Sequence, residues 1–377
     1  MSIISAILLV LTLIGTAYYI LSTLAIVAHF RRKRQEQTHQ PWVSILKPVS
    51  GIDYGARNSF LTYLTQDYAD YEVIFGVLDQ DDPSIAVISD IIQVFSHASC
   101  HIGSTISGVN NKVRILHNIL SHSSGEIVVI TDADTCVTPD FLQRIVSSFQ
   151  DNNIGAVTCM YRGSSALSIA DILEGLYMTC VFAPGVACAE SLGGIDFGLG
   201  AVIAIRRKIL EKIGGFEPIA DYLADDYQLG KQTASAGYKV ELSDYVVDVV
   251  LCGESLKSVI ERELRWAKTT KVSNPSGYFG LILTFGFAYA VLFLLASGFS
   301  SFGWQILLTV TAIRLISSYT GAYKCLGDSE FPKRIYLLPI RDLLSPLIWI
   351  AAYFLRTITW RGRKLRLLKD GRIIPIK

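Results

Sequence analysis

Apolar residues are distributed unevenly along the chain. From Ile3 to Phe30 they run almost without interruption and without a charge, a length that crosses a bilayer as a helix at about 1.5 Å rise per residue. Arg31-Arg32-Lys33-Arg34 follows at once. A cleaved leader has its positive charge before the apolar run and a small-residue cleavage site after it. Here the order is reversed. The pattern predicts an uncleaved anchor, with residue 31 onward on the cytosolic side.

Between 42 and 252 the pattern changes to short β-branched runs separated by amphipathic stretches. VSILKPV (43–49), YEVIFGVL (71–78), EIVVIT (126–131), IGAVTCMY (154–161) and GAVIAI (200–205) read as strands, and Ile85–Phe95 and Val113–Leu120 as helices. This alternation predicts an α/β unit with a mostly parallel sheet flanked by helices. Such sheets collect ligands at the carboxyl ends of their strands. The acidic clusters VLDQDDP and TDADT stand there, after the second and third runs.

From Tyr278 the chain is again apolar. Phe279–Ser297 is uncharged, and Phe302–Tyr323 is broken only by Arg314. Ile335–Leu355 contains Pro339, Arg341, Asp342 and Pro346. Each of its adjacent charges would cost roughly 2.5–3.5 kcal/mol in mid-membrane. A further crossing would also put the basic tail TWRGRKLRLLKDGR on the outer face. The expected arrangement has three spans, with 335–355 interfacial or re-entrant. The predicted boundaries are a membrane anchor at 1–30, a basic linker at 31–41, a catalytic unit at 42–252, an interfacial helix at 253–277, and a membrane region with a basic tail at 278–377.

Composition narrows the function. Charged residues make up 18% of the 377, against about 25% in a typical soluble domain. A net charge of +1 and the lack of a basic stripe interleaved with aromatics argue against a nucleic-acid partner. The seven cysteines form no CxxC pair, as expected of free thiols in a reducing compartment, and predict no zinc site.

The charged clusters carry the chemistry. In VVITDADTCV an apolar strand runs into Asp132 and Asp134, with no basic residue beside them in sequence. One reading is a solvated turn capping a helix near Phe141–Phe149. The other is a site for a divalent cation. Asp79-Gln80-Asp81-Asp82, Asp225-Asp226 and Arg262-Glu263-Leu264-Arg265-Trp266 complete the set. Together they suit a nucleotide-sugar glycosyltransferase. Mg²⁺ or Mn²⁺ held by carboxylates would neutralise a departing diphosphate, another carboxylate would take the acceptor proton, and cationic side chains would stabilise developing charge. Each residue also has a plain structural reading. Asp79 and Asp81 suit a turn around Pro83, Asp225 a helix N-cap, and Lys112 a surface site. Arg265 suits a snorkelling position, and Trp266 an interfacial anchor.

VLDQDDPS, ITDADT, LADDYQLGK and RELRW stand in the order seen in the ceramide glucosyltransferase family, which the chain resembles. LKPVSG, NNK (110–112) and the basic tail match as well, so the resemblance covers essentially the whole chain. GAVTCMYRG, ADYLADDYQLG and ERELRWAKT look most like its bacterial hopanoid-associated branch. The resemblance implies a GT-A fold with N- and C-terminal transmembrane helices, a UDP-sugar donor (UDP-glucose or UDP-N-acetylglucosamine) and a membrane-lipid acceptor. It implies an integral membrane protein whose catalytic domain lies on the cytosolic face, in a bacterial inner membrane. By position it implies that Asp82 lies near the uridine and that Asp132, with Asp134, holds metal and diphosphate. Asp226 would be the catalytic base, Arg262, Arg265 and Trp266 would close over donor and acceptor, and Lys112 would contact phosphate. Two related readings remain, a processive polysaccharide synthase and a polyprenyl-phosphate glycosyltransferase. Two remote ones are a non-catalytic membrane scaffold and a haloacid-dehalogenase-type phosphatase with Asp132 as nucleophile. The phosphatase reading expects the aspartate pair near the start of the domain, not 131 residues in, and a Thr or Val where Cys136 stands.

Overall fold

The computed structural model describes residues 2–32, 40–355 and 357–376. Lys33 and Arg34 of the basic run, and most of the predicted 31–41 linker, lie outside the described residues. The chain divides into two compact units, one of residues 1–32, 166–192 and 253–364, the other of residues 33–165, 193–252 and 365–377.

The second unit is built on an eight-stranded sheet. Its strands are β1 (Val43–Val49), β2 (Tyr71–Val77), β3 (Ala98–Ile102), β4 (Ile127–Thr131), β5 (Thr135–Cys136), β6 (Ile154–Ser164), β7 (Val202–Arg206) and β8 (Lys239–Val250), in spatial order 3-2-1-4-7-6-8-5. The first four of these neighbours are mutually parallel, and so are β6 and β8. β7 runs antiparallel to both β4 and β6, and β5 antiparallel to β8. The all-apolar runs are the buried central strands: every residue of β1 and β4 is buried. Side chains from β1, β2, β4 and β6 pack with Phe60, Phe141 and Ile145 in one core. β3 and β8 were not legible as strands, because ASCHI has little apolar signal and KVELSDYVVDVV interleaves charges.

The mixed topology positions the chemistry. Parallel strands β1 and β4 end at one edge of the sheet. β7, being antiparallel, begins at that same edge, with Thr131 paired to Val202 and the Asp132 amide donating to the Ala201 carbonyl at 3.2 Å. The approach to β7, Gly198–Gly200, therefore lies beside the aspartates that follow β4.

In the first unit Ile3–Phe30 is a single 28-residue helix. Among the described residues three helical stretches are long and apolar enough to cross a membrane: Ile3–Phe30, Ile169–Ser191 and Phe331–Phe354. A fourth candidate is the pair Pro275–Thr284 and Gly286–Ala296, bent by 49°. This differs from the sequence expectation in three places, the first being that the expected span Phe302–Tyr323 is not among these candidates. Ile169–Ser191 was not foreseen as a candidate. The 335–355 segment is not broken by its proline, since the helix Leu338–Phe354 continues through Pro346. The charges that argued against a span there are paired. Arg341 donates to Glu263 at 2.6 and 2.8 Å, and Asp342 accepts two bonds from Arg314 at 2.7 and 2.8 Å. A bidentate ion pair offsets much of the cost of burying each charge. Phe302–Tyr323 is helical as Ser301–Ser318, with a π-helical continuation to Cys325.

Candidate active site

Asp132 and Asp134 occupy the turn after β4, and two lysines reach them. The sequence suggested no basic partner, and the fold supplies Lys112 and Lys47. Lys112 Nζ lies 2.8 Å from Asp132 Oδ1 and 3.1 Å from Asp225 Oδ2. Lys112 sits in the first turn of the helix Asn111–Leu120, whose N-cap Asn110 accepts from the Val113 amide and donates to the Tyr222 carbonyl at 2.8 Å. The NNK segment is thereby tied to the loop entering the helix Asp225–Ser235. Lys112 is not a surface lysine. Burial alone would lower its pKa, but Asp132, Asp225 and Asp226 more than reverse this and hold it well above its ordinary value.

Lys47, on β1, is fully buried. Its ammonium donates to the Asp132 carbonyl at 2.7 Å and to Thr131 Oγ1 at 3.3 Å, and lies 4.0 Å from the centre of the Tyr63 ring. Thr135 Oγ1 donates to the same carbonyl at 2.8 Å. The aspartate turn is thus fixed from below by two donors. Burial pushes Lys47 down to about 7 against the pull of Asp134, Cys136 and Asp132. Burying an ammonium costs several kcal/mol, and neighbouring carboxylates are what make it tolerable here. Sequence reasoning missed Lys47, although it stands within LKPVSG.

Asp225 and Asp226 open the helix Asp225–Ser235. The N-cap is Ala224, so Asp225 is not the cap. It is buried and pairs with Lys112. Both carboxylates lie in the first turn, where the helix dipole favours negative charge. Burial, reinforced by Asp225, pushes Asp226 up to about 7. Burial and the Asp132 charge push Asp134 up to about 6. Asp132 and Asp226 turn toward a common space. A β-carbon built on Gly200 would sit 3.0 Å from Asp226 Oδ2 and 3.9 Å from Asp132 Oδ2.

Asp82 sits at the end of a turn after β2, in which Asp79 and Asp81 are exposed. Its carboxylate accepts from the Gly51 amide at 2.9 and 3.1 Å and from the Ser84 amide and hydroxyl at 2.9 and 2.7 Å. It ties the loop after β1 to the start of the next helix.

Arg262, Arg265 and Trp266 belong to the other unit, on the helix Leu256–Ser273. There Arg262 pairs with the buried Glu174 at 3.0 Å and with Glu254 at 2.6 Å. Trp266 stacks on Tyr177 with ring centres 5.9 Å apart, and the Arg265 guanidinium lies 5.7 Å from the centre of the Trp360 ring.

The donor set suits a hard divalent cation shared with a phosphate ligand. Among the described residues no group of three or more His, Cys, Asp or Glu side chains is arranged to hold a metal. Mg²⁺ and its congeners commonly take one or two carboxylates and complete their shell with water and substrate phosphate. Asp132 and Asp134 on one turn match that requirement, and their mutual repulsion is what a cation would relieve.

The fold is similar to that of the mannosyltransferase PcManGT from Pyrobaculum calidifontis, solved in complex with GDP-Man and Mn²⁺. The TM-score is 0.59 at 18% identity, over 93% of this chain and 98% of that one. With carboxylates gathered at the strand ends, the molecule is a GT-A glycosyltransferase. The profile of glycosyl transferase family 21 matches residues 7–373, and the chain belongs to that family. Among curated proteins it is similar to ceramide glucosyltransferases 1 and 3 of Caenorhabditis elegans. The first is 24% identical, over 88% of this chain and 73% of the relative. The second is 23% identical, over 92% and 77%. The ceramide glucosyltransferase of Komagataella phaffii is 22% identical over 87% and 82%. The phosphatase reading of ITDADT and the scaffold reading are thereby set aside.

Proposed function

We propose that the protein is a membrane-bound inverting glycosyltransferase that moves one sugar from UDP-glucose or UDP-N-acetylglucosamine to the hydroxyl of a membrane lipid, ceramide-like or hopanoid. The observation that carries this reading is the convergence of the Asp132 and Asp226 carboxylates on the space beside Gly200. Asp226 accepts the acceptor proton as the acceptor oxygen bonds to the anomeric carbon. The bond from that carbon to the diphosphate breaks, and its electron pair leaves with UDP. A carboxylate opposite the leaving group implies inversion, and so a β-linked product from an α-linked donor. Asp132 and Asp134 would hold Mg²⁺ or Mn²⁺, which when bound neutralises charge on the departing diphosphate. Lys112 adds a fixed positive charge on the same side. Asp82 orders the loop assigned to the uridine. The similarity to ceramide glucosyltransferases favours a lipid alcohol over a growing polysaccharide or a polyprenyl phosphate, whose phosphate needs no base.

The deciding experiment incubates purified protein and Mn²⁺ with each UDP-sugar and with ceramide, diacylglycerol or a hopanoid alcohol, read by mass spectrometry. One added hexose or N-acetylhexosamine on a lipid is expected, abolished by EDTA and restored by Mn²⁺. A polymeric product, or full turnover in chelator, would overturn the reading.

A further inference from the structure

Residues 365–375 fold as a hairpin in the same unit as the aspartates. Residues 365–367 pair antiparallel with 373–375. The turn between them is closed by the Leu368 amide, which donates to the Arg372 carbonyl at 2.8 Å, and by the Gly371 amide, which donates to the Leu368 carbonyl at 3.2 Å. Leu365, Leu367 and Ile373 are buried, so the hairpin is packed in place. One edge of it meets residues 221–223. The Ile373 amide donates to the Asp221 carbonyl at 2.8 Å, and the Leu223 amide donates to the Gly371 carbonyl at 3.3 Å. Tyr222 and Arg372 stand opposite each other between those bonds as an antiparallel bridge. The other side of the same loop is bonded to the segment that leads into Lys112. The Asn110 amide donates to the Ala220 carbonyl at 2.9 Å, Asn110 Nδ2 to the Tyr222 carbonyl at 2.8 Å, and the Val109 amide to Asp221 Oδ1 at 3.0 Å.

Residues 220–223 are thus held from both sides, and Asp225 and Asp226 follow as the first turn of their helix. That helix has no side-chain cap, because its N-cap is Ala224. A capping side chain normally fixes the entry of a helix by accepting from its first free amides. Here the loop before the helix has to do so. The donor-side turn has anchors of its own: the Asp132 carbonyl accepts from Lys47 and Thr135, and its amide donates to Ala201. We propose that residues 371–373 are a positioning element for the transfer reaction. They hold the loop 220–223 against the NNK segment and so set where the Asp226 carboxylate lies. The inference rests on the base assignment to Asp226 made above. It adds a role in turnover for a segment far from that base in sequence.

Ile373→Pro removes the amide that reaches Asp221, and Ile373→Ala removes the same buried side chain but keeps the amide. Misplacing a reacting group by about 1 Å costs up to about 10²-fold in rate. Ile373→Pro should therefore lower kcat for lipid transfer about 10- to 100-fold, while UDP binding in Mn²⁺, measured by calorimetry, stays within about threefold of wild type. Ile373→Ala should turn over several-fold faster than Ile373→Pro. Equal losses in the two variants, unaltered turnover in Ile373→Pro, or a parallel loss of UDP binding would each overturn the inference. A rescue separates positioning from folding. Opposed residues of this antiparallel type lie about 4.5 Å apart at their α-carbons, within reach of a disulfide. In Ile373→Pro protein that also carries Tyr222→Cys and Arg372→Cys, oxidation by copper phenanthroline should restore turnover and dithiothreitol should remove it again. Ile373→Pro protein treated in the same way should not recover. A disulfide confirmed by mass spectrometry without recovery of turnover overturns the inference. Wild-type turnover in Ile373→Pro beside an inactive Asp226→Asn enzyme removes only the role of residues 371–373. An active Asp226→Asn enzyme removes the base assignment itself.

Discussion

At the scale of residues, the proposed function separates binding from proton transfer. Asp132 lies on the turn fixed by Lys47 and Thr135 and is assigned to the donor, whereas Asp226 comes from a helix start and is assigned to the acceptor proton. Asp226→Asn keeps size and part of the hydrogen bonding but cannot accept a proton at neutral pH. Its kcat should fall by roughly 10²–10⁴, with UDP binding nearly unchanged. Asp132→Asn should instead weaken UDP binding in Mn²⁺. If Asp226→Asn turns over within about threefold of wild type, well short of the range expected for loss of a general base, Asp225 becomes the next candidate. An α-linked product would remove the inverting mechanism. Asp132, Asp134 and Asp226 were legible as candidates because strand and helix ends bearing paired acids stand out in sequence. Lys47 and Gly200 were not. A lysine inside an apolar strand and one glycine among many carry no local mark of what they face.

At the scale of elements, the edge of the sheet opposite the site is fastened by one carboxylate. Glu72 on β2 accepts from Ser44 Oγ at 2.7 Å, from the Ser124 amide at 2.8 Å and from Ser124 Oγ at 2.9 Å. It thereby joins the starts of β1, β2 and β4. Burial by itself would raise Glu72, but these bonds outweigh it and hold the carboxyl below its ordinary value of 4.5. A carboxyl with a lowered folded pKa contributes stability that is present above the unfolded value and is lost as pH falls through the folded value. Glu72→Gln should therefore cost about 1 kcal/mol at pH 7, allowing for partial exposure. The difference from wild type should shrink in acid-unfolding curves as pH falls below the ordinary carboxyl value of 4.5 and through the lower folded one. A cost that did not change with pH would show that the charged form is not what these donors stabilise. The topology of the sheet belongs to this scale too. Alternation of strands and helices marked the parallel half. The reversal of β7 was not visible, because the direction of a buried strand leaves no trace in its composition.

At the scale of the whole molecule, connectivity constrains the membrane arrangement. The C-terminal residues join the same unit as the aspartates: the Ile373 amide donates to the Asp221 carbonyl at 2.8 Å and the Leu223 amide to the Gly371 carbonyl at 3.3 Å. The chain between 253 and 364 must then cross the membrane an even number of times. Ile169–Ser191, with both ends leading back into that unit, cannot be a lone crossing. A cysteine at the exposed Lys369, Lys369→Cys, should resist a membrane-impermeant reagent applied from outside intact cells and react once the membrane is opened. Labelling from outside would overturn a cytosolic catalytic unit.

By itself the sequence determined the apolar anchor, the alternating core strands and the ordered acidic motifs, because each is written in the spacing of neighbouring residues along one element. The tertiary structure decided what the motifs meet. Lys112 comes from 20 residues before Asp132 to neutralise it, Lys47 reaches it from a neighbouring strand, and Arg341 and Asp342 find partners on other helices. β7 turns Gly200 toward two carboxylates from separate segments. Such encounters depend on how strands are ordered and directed in the sheet, and on which helix packs beside which. Burial energy sets those choices for the chain as a whole, so no short stretch records them.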